Sequence, residues 1–127
     1  MQPTPPAGPD APVVLVHWEA TLGKLLDRTA DFPRAHRPTF AARLENLALD
    51  VHDALVRARW SAPPLKRQRL EEASASLAVL RSLLRLSFER RLVARGPYEA
   101  LVRDIDEAGR MVGGWLRALG PGHAKLR

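Results

Sequence analysis

Proline placement limits this chain more than any other feature. A proline inside a helix removes a hydrogen bond and clashes with the preceding turn, so long helices need proline-free stretches. Five of the 11 prolines crowd the start (Pro3, Pro5, Pro6, Pro9 and Pro12), and residues 1–12 read as an extended tail. The rest return as punctuation: Pro33 and Pro38 around a short basic loop, Pro63-Pro64, Gly96-Pro97 and Gly120-Pro121-Gly122. The intervals between them predict four helices, over about residues 13–30, 39–59, 64–95 and 97–119. Period-two runs of β-branched residues and Asn-Gly or Asp-Gly hairpin signals are lacking. Four helices joined by short connections predict an all-α fold, an antiparallel up-down four-helix bundle over residues 13–120, with a short C-terminal tail at 121–127.

The apolar residues recur at helical spacing. Trp18, Leu22, Leu25, Leu26 and Thr29 share a face of the first helix. Phe40, Leu44, Leu47, Val51, Leu55 and Ala58 do so on the second, and Leu77, Leu80 and Leu84 on the third. Tyr98, Leu101, Val102, Ile105, Val112, Trp115, Leu116 and Leu119 form the stripe of the fourth. On two helices the apolar surface exceeds what a lone bundle needs. Val79, Leu83, Leu86 and Phe88 widen the arc of the third helix to roughly 240°. Leu49, Val56 and Trp60 form a second strip on the second helix, nearly opposite its core face. Surplus stripes of this kind predict burial against another copy of the chain, with Leu49, Val56, Trp60, Leu83 and Leu86 as interface residues. The competing explanation is that the third helix sits deepest in the bundle.

Absence of cysteine excludes disulfide, thiol and zinc-thiolate chemistry. The longest apolar run, Val13–Val16, is too short to span a bilayer, and no basic stretch precedes an apolar core at the N-terminus. A cytoplasmic protein without a membrane partner is expected. Catalytic and metal constellations are also missing. His17, His36, His52 and His123 fall in separate segments without a His-x-x-x-His or Glu-x-x-His pairing. Asp50, His52 and Asp53 read as a solvated face. There is neither a glycine-rich phosphate loop after a strand nor a Gly-x-Ser-x-Gly elbow, so neither an enzyme nor a bound metal or cofactor is expected.

The charge is unevenly spread. The net charge is +6, yet residues 57–95 hold ten cations against three acids. Arg57, Arg59, Lys66, Arg67 and Arg69 crowd the loop after the second helix. Arg67, Arg81 and Arg85 fall within roughly 40° of one another on the third, with the small residues Ser74 and Ala78 between them. Arg90, Arg91 and Arg95 are expected to close that helix, where cations suit the macrodipole. Arginine favours bidentate phosphate contacts, and aromatic residues are sparse, so backbone-directed, salt-sensitive binding of RNA or DNA is the expected chemistry. An acidic protein partner would use the same patch. Gly109 and Gly113 edge the core stripe of the fourth helix beside Val102, and are expected to let a neighbouring helix approach closely, with Trp115 also read as packing.

The stretch Ile105-Asp106-Glu107-Ala108-Gly109-Arg110-Met111-Val112-Gly113-Gly114-Trp115-Leu116, with Leu83-Leu84-Arg85-Leu86 and Tyr98-Glu99 before it, resembles the accessory variability determinant (Avd) family of diversity-generating retroelements. The Phe32-Pro33…Arg37 loop and Leu44-Glu45-Asn46-Leu47-Ala48-Leu49-Asp50 are similar to the start of that family's second helix. The resemblance covers about residues 14–119. It implies a four-helix bundle assembled as a homopentameric barrel. Such proteins bind nucleic acid with little sequence preference and associate with the retroelement reverse transcriptase in mutagenic complementary-DNA synthesis. It further implies that Arg81, Arg85 and Arg110 are functional cations, and that Gly109, Gly113, Gly114 and Trp115 are structural members of the motif. Related four-helix proteins encoded in ribosomal-RNA intervening sequences share much of the pattern, and ribosomal-RNA association is the alternative function.

Overall fold

Each of the four intervals forms a helix in the computed structural model, which describes residues 12–120. The helices are α1 (Val13–Thr29), α2 (Ala42–Arg59), α3 (Pro63–Glu89) and α4 (Arg95–Ala118), and no strand occurs among the described residues. Apart from Pro12, the two expected tails and His123 lie outside the described residues.

The buried positions explain why these helices pack along their lengths. Leu44, Ala48, Val51, Leu55 and Ala58 on α2 alternate four and three residues apart. Leu70, Ala73, Leu77, Leu80, Leu84 and Ser87 on α3 alternate three and four. Leu101, Ile105, Ala108 and Val112 repeat the pattern on α4. That alternation keeps one narrow face turned to a neighbour whose axis crosses at a shallow angle. Both α1 and α3 pack on α2 and on α4, which leaves α1 and α3 diagonal to one another.

Polar side chains register the helices. Trp18 is fully buried and donates its indole N–H to the Ala48 carbonyl at 2.9 Å, tying α1 to α2. Thr29 donates to Glu45 at 2.6 Å where α1 ends. His17 donates from Nε2 to the Asp104 carbonyl at 2.8 Å, tying α1 to α4.

The connections hold two departures from expectation. Between α1 and α2, a 3-10 turn (Arg34–His36) and a π turn (Arg37–Ala41) precede the α-helix proper, which therefore begins at Ala42 rather than near Thr39. The second departure is larger. The third helix ends at Glu89, not at residue 95, and α4 begins at Arg95. Leu92 donates its N–H to the Ser87 carbonyl and Arg91 donates to Phe88, both at 2.9 Å, while Arg91 adopts φ 65°. This is a Schellman stop, whose left-handed residue is ordinarily glycine. Arginine occupies the place here, so the sequence carries no visible stop signal. Arg95 consequently starts a helix rather than closing one. It lies at the positive end of the α4 dipole, where it pairs with Glu99 at 3.5 Å.

Candidate nucleic-acid interface

The eight cations singled out from the sequence occupy three kinds of place. Lys66, in the first turn of α3, donates Nζ to the Ala58 carbonyl at 2.7 Å and the Arg59 carbonyl at 3.4 Å, capping the end of α2. The same ammonium lies 5.4 Å from the Trp115 ring. Arg67 caps the end of α4 through the Leu116 carbonyl at 3.4 Å and the Gly120 carbonyl. These two satisfy carbonyls that a helix end leaves orphaned.

Five others meet carboxylates. Arg57 pairs with Asp53 at 2.9 Å, Arg69 with Glu72 at 3.0 Å and Arg85 with Glu89 at 2.6 Å, each within one turn of its own helix. Arg110 donates Nε to Glu107 at 3.0 Å. Arg81 reaches across from α3 to Asp106 on α4. The hydrogen bond from Arg81 holds the Asp106 carboxyl below its ordinary value, against the opposing effect of burial, and the Arg81 guanidinium is correspondingly raised. Arg59 stacks its guanidinium 4.6 Å over the Trp60 ring.

Arg81 and Arg85 are exposed, and so are Ser74 and Ala78 between them and Arg67. Arg67 is turned instead to the end of α4.

The surplus apolar residues divide in the same manner. Leu49, Trp60 and Leu86 are exposed, Trp60 at 74%. Val56 and Leu83 are half-buried against the core. Val79 and Leu86 stay open along α3, so that helix is not simply the deepest one in the bundle. Arg43, Ala78, Val79, Ser82, Leu83 and Leu86 line a shallow apolar groove between α2 and α3.

The glycine expectation needs correction. A Cβ built at Gly109 meets nothing within 4 Å, and at Gly113 and Gly114 it meets only the flexible Arg117 side chain of the same helix. Among the described residues no neighbouring helix approaches there. Trp115 does pack against the core, half-buried beside Lys66.

Beyond those eight cations stand further arginines that the sequence did not mark as binding residues. Arg34, Arg43, Arg90 and Arg91 are exposed and have no carboxylate partner among the described residues. Arg90 and Arg91 were visible as part of the basic segment, but the missing stop signal placed them on a helix rather than in a turn.

Among the described residues no three His, Asp or Glu side chains gather as metal ligands, and no helix is long and apolar enough to cross a membrane. His52 pairs with Glu19 at 3.2 Å between α2 and α1, and Asp50 is exposed. The arrangement offers cations, several held only by exposed carboxylates, and open apolar strips beside them. No curated protein matches the chain. The model of the family described as bAvd-like matches residues 13–119. That span takes in all four helices, the eight cations and Gly109, Gly113 and Gly114, and the chain belongs to the bAvd-like family.

Proposed function

We propose that this chain is a non-enzymatic accessory protein of a diversity-generating retroelement. In this reading its basic surface holds RNA or DNA beside the retroelement reverse transcriptase and so supports mutagenic complementary-DNA synthesis. The observation that carries the reading is the family match across the entire four-helix core. The Arg-rich face of α3 supports it. Exposed ion pairs contribute only about 0–1 kcal/mol, so phosphates can displace the carboxylates from Arg57, Arg69, Arg81, Arg85 and Arg110. Lys66 and Arg67 would add positive potential from their capping positions, and Arg59 would do so beside Trp60.

The bundle is read as antiparallel. The start of α3 meets the end of α4 through Arg67 and Gly120, and the end of α3 meets the start of α4 where Phe88 stacks on Tyr98 at 4.4 Å. Assembly as a homopentamer would cover Leu49, Trp60 and Leu86 together with the outer edges of Val56 and Leu83. A ring would also repeat the cationic strip and add avidity.

The test is reconstitution with the reverse transcriptase of the same element and its RNA template. The expected result is co-purification of the two proteins and loss of complementary-DNA synthesis when the chain is omitted. A reverse transcriptase that makes the same product at the same rate without the chain overturns the reading.

A further inference from the structure

Most cations chosen from the sequence are engaged within the fold, whereas the opposite end of the bundle holds several that are not. At 1.5 Å per residue α3 is about 40 Å long, and Arg90 lies about 30 Å along that axis from Arg69. There the connector between α1 and α2 meets the turn between α3 and α4. Phe40 is the common floor: the Arg90 guanidinium lies 5.9 Å from its ring, and His36 meets it edge-on at 6.1 Å. Arg43 lies three residues beyond Phe40, at the rim of the groove between α2 and α3. Arg34 belongs to the same 3-10 turn as His36. Of the acids nearest in sequence, Glu89 is held by Arg85, Glu45 accepts from Thr29, and Asp31 lies exposed three residues before Arg34.

Arg91 adds a separate observation. It occupies a left-handed position that glycine fills without strain, so the backbone alone gives no reason for a charged side chain there.

We propose that this connector end is a second nucleic-acid surface, binding the phosphodiester backbone through Arg34, Arg43, Arg90 and Arg91 around Phe40. The proposal rests on the nucleic-acid reading above and adds to it a contact face at the end of the bundle, beyond Arg85 of the α3 strip. Guanidinium forks match phosphate oxygens in geometry as well as in charge. A protein partner would be expected to centre on an open aromatic or aliphatic anchor, and here Phe40 is half-buried, with the Arg90 guanidinium over its ring and His36 at its edge. A chain of evenly spaced phosphates is the better complement to four arginines that have no carboxylate partner among the described residues.

The experiment measures binding of a labelled RNA hairpin across a salt series. It compares wild-type protein, the triple variant Arg34→Ala/Arg90→Ala/Arg91→Gly, and Arg81→Ala/Arg85→Ala. The glycine keeps the turn, so helicity and assembled mass should match wild type. The expected result for the triple variant is binding weaker by about tenfold or more, with a salt slope lower by roughly 2–3, at about 0.9 per lost phosphate contact on a duplex. Triple-variant binding equal to wild type, with Arg81→Ala/Arg85→Ala weakened, overturns this surface and leaves the functional reading standing. Wild-type protein that holds no RNA even at low salt overturns both. Polyglutamate held as tightly as RNA at equal charge, with both lost in the triple variant, overturns the nucleic-acid assignment in favour of an acidic protein partner.

Discussion

Arg81 and Asp106 face each other across α3 and α4 in a fork-to-fork pair, with Nε 2.7 Å from Oδ1 and Nη2 3.1 Å from Oδ2. Both side chains keep more than a third of their surface exposed, so the pair aligns the two helices while leaving its guanidinium within reach of a ligand. An arginine so placed can exchange its carboxylate for a phosphate at little cost. The two partners should therefore have opposite effects on nucleic-acid binding. Arg81→Ala removes a cation and leaves Asp106 to repel phosphate, so affinity should fall several-fold and the salt slope should decrease by about 1. Asp106→Asn releases Arg81, and affinity should rise. Anisotropy titrations at two salt concentrations check both, and a fall in both variants would contradict an exchangeable pair.

The same pair has a pH signature. The Asp106 carboxyl lies below its ordinary value of 3.8, and the first cause is its hydrogen bond from Arg81. A group depressed in the folded state stabilises the fold above its unfolded value, and that contribution disappears as pH falls through the folded value. Denaturant midpoints of wild type and Asp106→Asn should differ at pH 6 and converge as the pH drops below about 3.8. Given the exposure of both groups, the difference should be at most about 1 kcal/mol.

Arg91→Gly should stabilise the isolated fold. Glycine adopts φ 65° without the Cβ penalty, which is on the order of 1 kcal/mol for an ordinary residue. Urea unfolding should show a higher midpoint with an unchanged slope. A lower midpoint would mean that the Arg91 side chain itself holds the turn.

Assembly should respond to substitution at the exposed apolar residues, which leaves the core untouched. Trp60→Glu and Leu86→Glu change surface positions, so helicity should stay within experimental error of wild type. Light scattering should show wild type near five times 14.1 kDa and both variants at lower mass. A monodisperse wild-type monomer would refute the reading of these strips as interfaces.

Gly109 offers an independent probe. Because a Cβ there meets open space, Gly109→Ala should raise the stability of the separated subunit by roughly 0.5–1 kcal/mol through helix propensity alone. If the substitution also lowers the assembled mass, the open space at Gly109 belongs to a contact between subunits.

Proline spacing and apolar periodicity alone determined the four helices and most of the core. Leu44, Val51 and Leu55 are buried as their spacing requires, as are Leu77, Leu80, Leu84, Leu101 and Ile105, because a helix converts sequence separation directly into a face. Pro97 in the first turn of α4 and Gly120 at φ 77° just past its end follow the same local logic. What depends on a residue in an unusual backbone state was not legible. Arg91 stops α3 where only glycine would have announced a stop, and that single residue moves Arg90 and Arg91 into a turn and Arg95 to the opposite end of a dipole. Nor could net charge by segment separate cations held by the fold from cations left open. Lys66 and Arg67 satisfy helix-end carbonyls, and Arg81 meets an acid 25 residues away, whereas Arg90 rests on Phe40 of a distant connector. A helical wheel places side chains around one axis. Which of them find a partner depends on the neighbouring axes, and those are placed only when the four helices pack.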